Sequence, residues 1–318
     1  LLLKYYANRL LKLPLDLNDT QVIPARLELT KSTGKKVKIL FLVNELSEEI
    51  VGEKAQVKGL PDKRLDIGDS LYLDDHPIAE VVSQDKEEFT FNLLVSLDYF
   101  RKTLEDRGLT PLPPYIHSSL SEGDVREKYQ TIFSETNPLA SVAAPTASLH
   151  FTERVFCSLE EKGIENTRVT LHVGRGTFSH INEDTKQLHR EPVYISRASA
   201  EKIADAKRHG RTVISSGTTA TRVLESSVRF ILDNNQPDDR EGQSDLSGFT
   251  SIFIKPSYDF KIVDALMTNF HLPNTSLLML LDAFLQYKKS TKTWRDIYEY
   301  AVENKFRFYS FGDAMLVI

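Results

Sequence analysis

A change of period part-way along the chain restricts the fold more than any other feature. Between residues 34 and 110 apolar residues fall in short β-type runs: Val37–Val43, Gln56–Lys58, Ser70–Leu73, Ile78–Val82 and Phe89–Leu94. Turn signals such as Gly59–Pro61 and Ile67-Gly68-Asp69 part them, so this stretch reads as a small antiparallel sheet or barrel. Pro111-Leu112-Pro113-Pro114-Tyr115 then holds the exit extended. Beyond it, helix-length and strand-length segments alternate, the pattern of a layered α/β unit.

In that second region helices are expected at Asp124–Phe133, capped by Asp124, at Thr152–Lys162 with Gly163 as its stop, and at Ser199–His209 ended by Gly210. A strand Arg211–Ser215 leads through Gly217-Thr218-Thr219 into a helix carrying Val223, Leu224, Val228 and Ile231. Leu232–Gly248 reads as a polar surface loop and Ser251–Ile254 as a strand; Ile262–Leu266 is another short element. A helix over Leu277–Tyr287 takes its cap from Asn274 or Thr275, and a last one spans Thr293–Val302. Residues 1–18, LLLKYYANRLLKLPLDLN, lack a clean period, contain Pro14 and are given no element.

Val169–Phe178, VTLHVGRGTF, reads as a strand running into a tight glycine turn. Thr170 and His172 share one strand face, and Arg175 and Thr177 sit in the turn, where bare glycine backbone admits a ligand. Gly217-Thr218-Thr219 places free amides and two hydroxyls at a helix start, which suits either an anion or a simple N-cap. No Walker A, HExxH or CxxC pattern is present, and Gly174-Arg175-Gly176 followed by Ser179 lacks the third glycine of a dinucleotide fingerprint. The polar residues left at strand and helix ends are Asp19 and Arg26; Thr146 and His150; His172, Arg175 and Thr177; Thr218, Thr219, Arg222 and Glu225; Asp264, Thr268, Asn269 and His271; and Asp313. Alone they name no reaction.

Composition narrows the partners. A net charge of −5 gives no global attraction to nucleic acid, although Lys186–Arg211 holds seven Lys/Arg against three acids. That excess serves either phosphate contact or a solvated helix face. The single cysteine, Cys157, excludes an intrachain disulfide, the longest apolar run, Leu277–Leu281, is too short to cross a bilayer, and no signal peptide is visible. The expectation is a soluble cytoplasmic protein without membrane contact.

Nine stretches, in order, carry a resemblance: NDTQVIPARL, PLPPYI, DVREKYQTIFS, AAPTASLHFT, VTLHVGRGTF, SSGTTATRVLES, IFIKPSYDF, VDALMTNFHLPNTSLLML and FRFYSFGDAML. From about residue 18 to the C-terminus the chain resembles the bacterial S-adenosylmethionine:tRNA ribosyltransferase-isomerases of queuosine biosynthesis. The resemblance implies a mixed-sheet α/β main domain, residues 1–33 and 113–318, with a smaller antiparallel β-barrel-like domain, residues 34–112, inserted near its start. It implies transfer and isomerisation of the ribosyl part of S-adenosylmethionine onto 7-aminomethyl-7-deazaguanine (preQ1) at the wobble position of tRNA. Adenine and methionine leave, and epoxyqueuosine remains in the RNA.

On this resemblance the partners are a tRNA anticodon stem-loop carrying preQ1 and S-adenosylmethionine as co-substrate, with no bound cofactor or metal, and the chain is expected to act as a monomer. His172 and His271 are the expected proton-transfer groups, with Asp313 or Glu225 as an orienting carboxylate. Thr218, Thr219 and Arg222 are expected to hold the methionine carboxylate or a phosphate. Thr146 and His150 are expected to line an adenosine pocket, and Asp19, Arg26, Arg175, Thr177, Thr268 and Asn269 to complete the substrate contacts.

The chain departs from the family pattern in places. Its N-terminal region is short and matches poorly, Ser148 and Ser257 stand where the family has glycine, and Lys186 stands where a histidine is usual. An S-adenosylmethionine/tRNA-binding homologue with impaired turnover is therefore the alternative. A methyltransferase is disfavoured, because its glycine-rich strand–loop signature is missing.

Overall fold

The computed structural model describes residues 14–43, 47–51, 54–113, 115, 116, 118–135, 141–174, 185, 187–233 and 244–318. Its first strand, β1 (Pro14–Asn18), belongs to a sheet that is completed only later in the chain. The next strands build a separate unit: β2 (Arg26–Lys31), β3 (Lys36–Phe41), β4 (Ser47–Val51), β5 (Lys54–Pro61), β6 (Ser70–Leu73), β7 (His76–Asp85) and β8 (Glu88–Leu93). They pair antiparallel in the order β3-β2-β6-β7-β8-β5-β4. A further β3–β5 pairing, Ile39↔Pro61 to Phe41↔Gly59, closes six of them into a barrel and leaves β4 on its flank.

Alternation makes these strands. Leu27 and Leu29 in β2, and Phe89, Phe91 and Leu93 in β8, are buried, while Glu28, Thr90 and Asn92 between them are only half-buried. Closure needs Gly59, since a Cβ there would lie 2.9 Å from Ile39 and 3.0 Å from Phe91. Helix α1 (Leu97–Arg107), capped by Ser96, sets Phe100 and Leu104 into the barrel core, with the Phe41 and Phe100 rings 5.0 Å apart. The strand-only reading of this region overlooks α1, whose short apolar stripe sits in a mostly charged sequence. The chain enters and leaves the barrel side by side, because Arg26 and Leu109 exchange both backbone hydrogen bonds.

The layered part follows. Its elements are α2 (Glu122–Lys128), α3 (Glu153–Glu160), β9 (Glu165–Leu171), β10 (Glu191–Ile195), α4 (Arg197–Arg208), β11 (Ile214–Ser216), α5 (Thr218–Ser226), α6 (Val228–Leu232), β12 (Leu246–Thr250), β13 (Ala265–Asn269), α7 (Ser276–Tyr287), α8 (Trp294–Glu303) and β14 (Ala314–Val317). The sheet order is β12-β10-β9-β1-β11-β13-β14, and the four central strands β9, β1, β11 and β13 are parallel. The outer strands are antiparallel, so the sheet is mixed. This is the α/β class expected, a mixed sheet accompanied by a smaller antiparallel barrel. No helix among the described residues is long and apolar enough to cross a membrane.

Three local expectations are corrected. The unassigned N-terminal stretch supplies the central strand β1. The strand near residue 250 is Leu246–Thr250 rather than 251–254, because β10 offers it five antiparallel partners and the edge position tolerates its polar residues. Helix α2 is capped by Ser121, whose Oγ accepts the Asp124 amide, and it ends by Lys128, well before Phe133.

Apolar residues flank both faces of the sheet. Leu15, Leu17, Ile214, Ala265 and Met267 pack with Leu159 of α3, and on the other side Val169, Leu171 and Leu266 pack with Ile203, Val223, Leu224 and Phe284. By parity along β1, Asp16 and Asn18 point away from Leu15 and Leu17, towards α5. Six helices carry a Ser or Thr cap: Ser96, Ser121, Thr152, Ser196, Thr275 and Thr293. Helix α5 instead starts from Gly217, at φ +90°, with no capping side chain. Its first-turn amides are therefore left for something else.

Candidate functional site

Because β1, β11 and β13 run parallel, their C-terminal ends at Asn18, Ser216 and Asn269 come together. Ligands of open α/β sheets gather at that end. A cavity of about 290 Å³ lies there, at the lower edge of the size range for small-molecule sites. The uncapped start of α5 (Gly217, Thr218 and Thr219) forms one wall, and Thr268–Leu272, the end of β13 and the residues after it, forms another. The 3₁₀ turn Thr146–His150 contributes Thr146 and Ala147, and Tyr115, Tyr129, Tyr309 and Ser310 close the remaining side.

Around the strand ends beneath the cavity lie three separate sets of hydrogen-bonded polar groups. Asn18 Nδ2 donates to Leu171 O at 3.2 Å and to Thr219 Oγ1 at 3.0 Å, while its Oδ1 accepts the amides of Leu171 and Thr20. Asp16, one step back on the same face, accepts the Thr167 hydroxyl; its Oδ2 is buried without a partner. Burial raises the Asp16 carboxyl to about 7, against a smaller opposing effect of Thr167. Thr221 Oγ1 donates to Ser215 Oγ at 2.9 Å, tying α5 to β11.

The wall at the end of β13 holds the cavity's histidine. Thr268 Oγ1 lies 2.7 Å from His271 Nε2, and the His271 amide donates to the Tyr298 hydroxyl at 2.7 Å. Desolvation lowers His271 to about 4, so the ring is neutral at ordinary pH. Thr146 Oγ1 donates to Asn269 Oδ1 at 2.9 Å, and Asn269 Nδ2 reaches Asp313 O at 3.4 Å.

Six of the residues expected from the sequence thus line one cavity: Thr146, Thr218, Thr219, Thr268, Asn269 and His271. The others are placed elsewhere. His172 Nδ1 meets Thr20 Oγ1 at 2.9 Å, Thr20 meets Ser141 Oγ at 2.7 Å, and burial lowers the His172 ring to about 4. This buried chain lies behind Val173, which does line the cavity and whose amide donates to Ser141 Oγ. Asp19 accepts the Thr170 hydroxyl at 2.7 Å, and burial raises it to about 6. Arg26 donates to Leu112 O where the barrel meets the sheet.

Arg222 pairs with Glu191, whose other oxygen accepts the Gly174 amide at 3.0 Å. Arg222 Nε and Nη2 are buried without a partner. Glu225 accepts the amides of Lys261, Ile262 and Val263 together with the Tyr258 hydroxyl, so its carboxylate shapes that turn. Asp313 pairs with Arg307 at 2.9 Å and accepts the Arg307 amide. His150 is exposed at the end of the 3₁₀ turn, near Asp313. Arg175, Thr177 and Lys186 lie outside the described residues.

Sequence reading passed over Asn18, although it stands in the quoted NDT stretch beside Asp19. Its parity with Asp16, opposite Leu15 and Leu17, was the available signal. Tyr115, Tyr129 and Tyr309 were also missed as wall residues; each lies within a different quoted stretch. Ser148 needs no positive φ: it sits buried in the 3₁₀ turn, its Oγ 2.8 Å from Ser216 Oγ. Ser257, by contrast, takes φ +75°.

Comparison with known proteins adds two findings. A family profile described as queuosine biosynthesis protein matches residues 12–317. Among solved structures, an S-adenosylmethionine tRNA ribosyltransferase from Thermotoga maritima is 25% identical, with 99% of this chain and 86% of that chain covered, at a TM-score of 0.46.

Proposed function

The chain belongs to the queuosine biosynthesis protein family, and we propose that it transfers and isomerises the ribosyl group of S-adenosylmethionine onto 7-aminomethyl-7-deazaguanine at the wobble position of tRNA. Adenine and methionine are the leaving products and epoxyqueuosine in tRNA is the result. The observation that carries this reading is the cavity itself. At the C-terminal ends of the parallel strands it joins uncapped helix amides, a neutral histidine and an aromatic side.

The walls other than the aromatic side each suit one part of the reaction. The α5 amides with Thr218 and Thr219 suit the methionine carboxylate, since a helix start without a cap has orphan donors and a positive dipole end. Thr146 and Asn269 offer hydrogen-bonding groups to the adenosine. His271, oriented by Thr268, takes the acidic proton from the carbon beside the sulfonium. Adenine then departs and the aminomethyl nitrogen bonds to the ribosyl carbon it leaves. The ring oxygen is released from that carbon as an alkoxide, leaving an iminium; the ylide carbon adds to it to close the carbocycle. The alkoxide then attacks the carbon that bears sulfur, closing the epoxide and expelling methionine with the sulfonium electron pair. His172, Thr20 and Ser141 hold the cavity wall at Val173 in place.

The test incubates the chain with S-adenosylmethionine and an anticodon stem-loop carrying preQ1. Equal release of adenine and methionine, with the matching mass gain on the RNA, is the expected result. Binding of both substrates without release would leave a binding homologue, and S-adenosylhomocysteine as product would mean methyl transfer.

A further inference from the structure

The aromatic side of the cavity has no role in the chemistry above. Tyr115 is 42% exposed at the mouth, its ring centroid 5.0 Å from that of Tyr309 at an interplanar angle of 47°. The two rings form an open wedge. Tyr115 OH lies 2.8 Å from Ser310 Oγ, which fixes the ring across 195 residues of sequence. Behind the wedge, Phe308 stacks on Phe270 at 4.9 Å and meets Tyr298 edge-on at 5.5 Å, so Tyr309 stands on a packed backing.

The backbone is bent to present this ring. Tyr309 has φ +70°, a region bulky residues rarely enter, and it is held there by its own amide to Phe270 O and by the Gly312 amide to its carbonyl, both at 3.0 Å. Gly312 permits the bend, because a Cβ there would stand 2.4 Å from Arg307 O. The same turn carries Arg307, whose side chain is 72% exposed.

We infer that Tyr115 and Tyr309 form a stacking platform at the cavity mouth for an unstacked base of the RNA substrate, an inference that rests on the proposed function. A base in RNA brings its backbone with it and so must meet the protein at the mouth, whereas a free small molecule can settle deeper. Unpaired loop bases are held by aromatic faces, which stack on any base. The Arg307 guanidinium, paired with Asp313 at 2.9 Å but 72% exposed, keeps donors free for an adjoining phosphodiester.

The test places 2-aminopurine, whose fluorescence falls on stacking, in turn at the wobble position and its two neighbours in an anticodon stem-loop. RNA binding is titrated fluorometrically and S-adenosylmethionine binding calorimetrically, with the full chain. One position is expected to quench with the unaltered chain. Tyr115→Ala and Tyr309→Gly are expected to abolish that quench and weaken RNA binding roughly 5- to 100-fold. Glycine accepts φ +70°, so the second variant keeps the turn. Tyr115→Phe and Tyr309→Phe retain the ring and are expected to retain the quench, while S-adenosylmethionine affinity stays within about twofold. Unchanged RNA affinity in the ring-deleted variants overturns the platform and leaves the proposed function standing. A fall in S-adenosylmethionine affinity with RNA affinity intact overturns it in favour of adenine. Failure of the unaltered chain to bind any stem-loop overturns both readings.

Discussion

The barrel and the layered sheet each bury an extensive apolar core, but they treat polar groups in opposite ways. In β2–β8 the one polar or charged residue buried among those described is Glu88, which pairs with Lys58 at 3.0 Å. The sheet and its C-terminal loops bury Asp16, Asn18, Thr20, His172, Ser215, Thr218, Arg222 and Asn269. A buried polar group costs free energy unless fully hydrogen-bonded, and Asp16 and Arg222 are not. The barrel is thus optimised for stability. The sheet bears the cost of its buried polar groups, and of those named, Thr218 and Asn269 line the cavity.

Two substitutions should separate these roles most sharply. His271→Gln keeps a neutral hydrogen-bonding side chain beside Thr268, so stability should change by less than about 1 kcal/mol, while turnover falls about 10²- to 10⁴-fold. Release of adenine and a denaturant titration measure the two together; normal turnover in a folded variant removes His271 from the mechanism. In the barrel, Phe41→Ala empties a site where the ring meets Phe91 at 5.5 Å and Phe100 at 5.0 Å. Its cost should be about 3–5 kcal/mol, with turnover per folded molecule unchanged. Lost turnover at full stability would show that the barrel shapes the site after all.

Asp16→Asn should act in the opposite sense to Phe41→Ala. The folded carboxyl titrates near 7 and the unfolded one near 3.8, so between these values the folded state holds a proton that the unfolded state has lost. Stability therefore falls as pH rises through this window, and the full cost is present above 7. Asparagine removes it, with a gain of up to about 4 kcal/mol above pH 7 that vanishes below pH 3.8. The two desolvated histidines have the reverse sign. His172 and His271, lowered from 6.5 to about 4, contribute stability that is complete above 6.5 and lost as pH falls through 4. A pH series of unfolding midpoints distinguishes them, and a gain from Asp16→Asn that persists at pH 3 refutes the desolvation account.

The same contrast explains what the sequence disclosed. Barrel strands such as Phe89–Leu93 were legible because alternation follows directly from one buried and one exposed face. Strand β1 was not: its residues are all buried, and Asp16 and Asn18 occupy the face that period-reading expects to be apolar. Polar residues in the interior erase the very signal that marks a strand. Within the site, Thr218, Thr219, Thr268, Asn269 and His271 were legible as chemically able residues at element ends. Glu225 and Arg222 have the same residue chemistry but turn to Ile262 and Glu191, and only the fold reveals that direction. The tyrosines of the cavity wall come from residues 115, 129 and 309, a convergence that no local pattern records.

The smallest expected effect tests how each region carries backbone strain. The β6–β7 hairpin turns through Asp74 and Asp75 at φ +46° and +67°, the two-residue geometry that favours positive φ and that aspartate tolerates. In the layered part Ser257 takes φ +75° between Pro256 and Tyr258, where its side chain gives no such relief. The turn holds because Tyr258 donates from its amide to Lys255 O and from its hydroxyl to Glu225, and because Phe260 packs 4.9 Å from Phe284. Ser257→Gly removes a steric cost of roughly 1–2 kcal/mol and adds about 0.5–1 kcal/mol of unfolded-state entropy. A net gain of about 0.5–1 kcal/mol is expected, against almost none for Asp75→Gly, with turnover unchanged in both. Equal gains at the two positions would mean that surrounding packing sets the strain in both regions; a gain confined to Ser257 places it in the layered half, where the buried polar groups also lie.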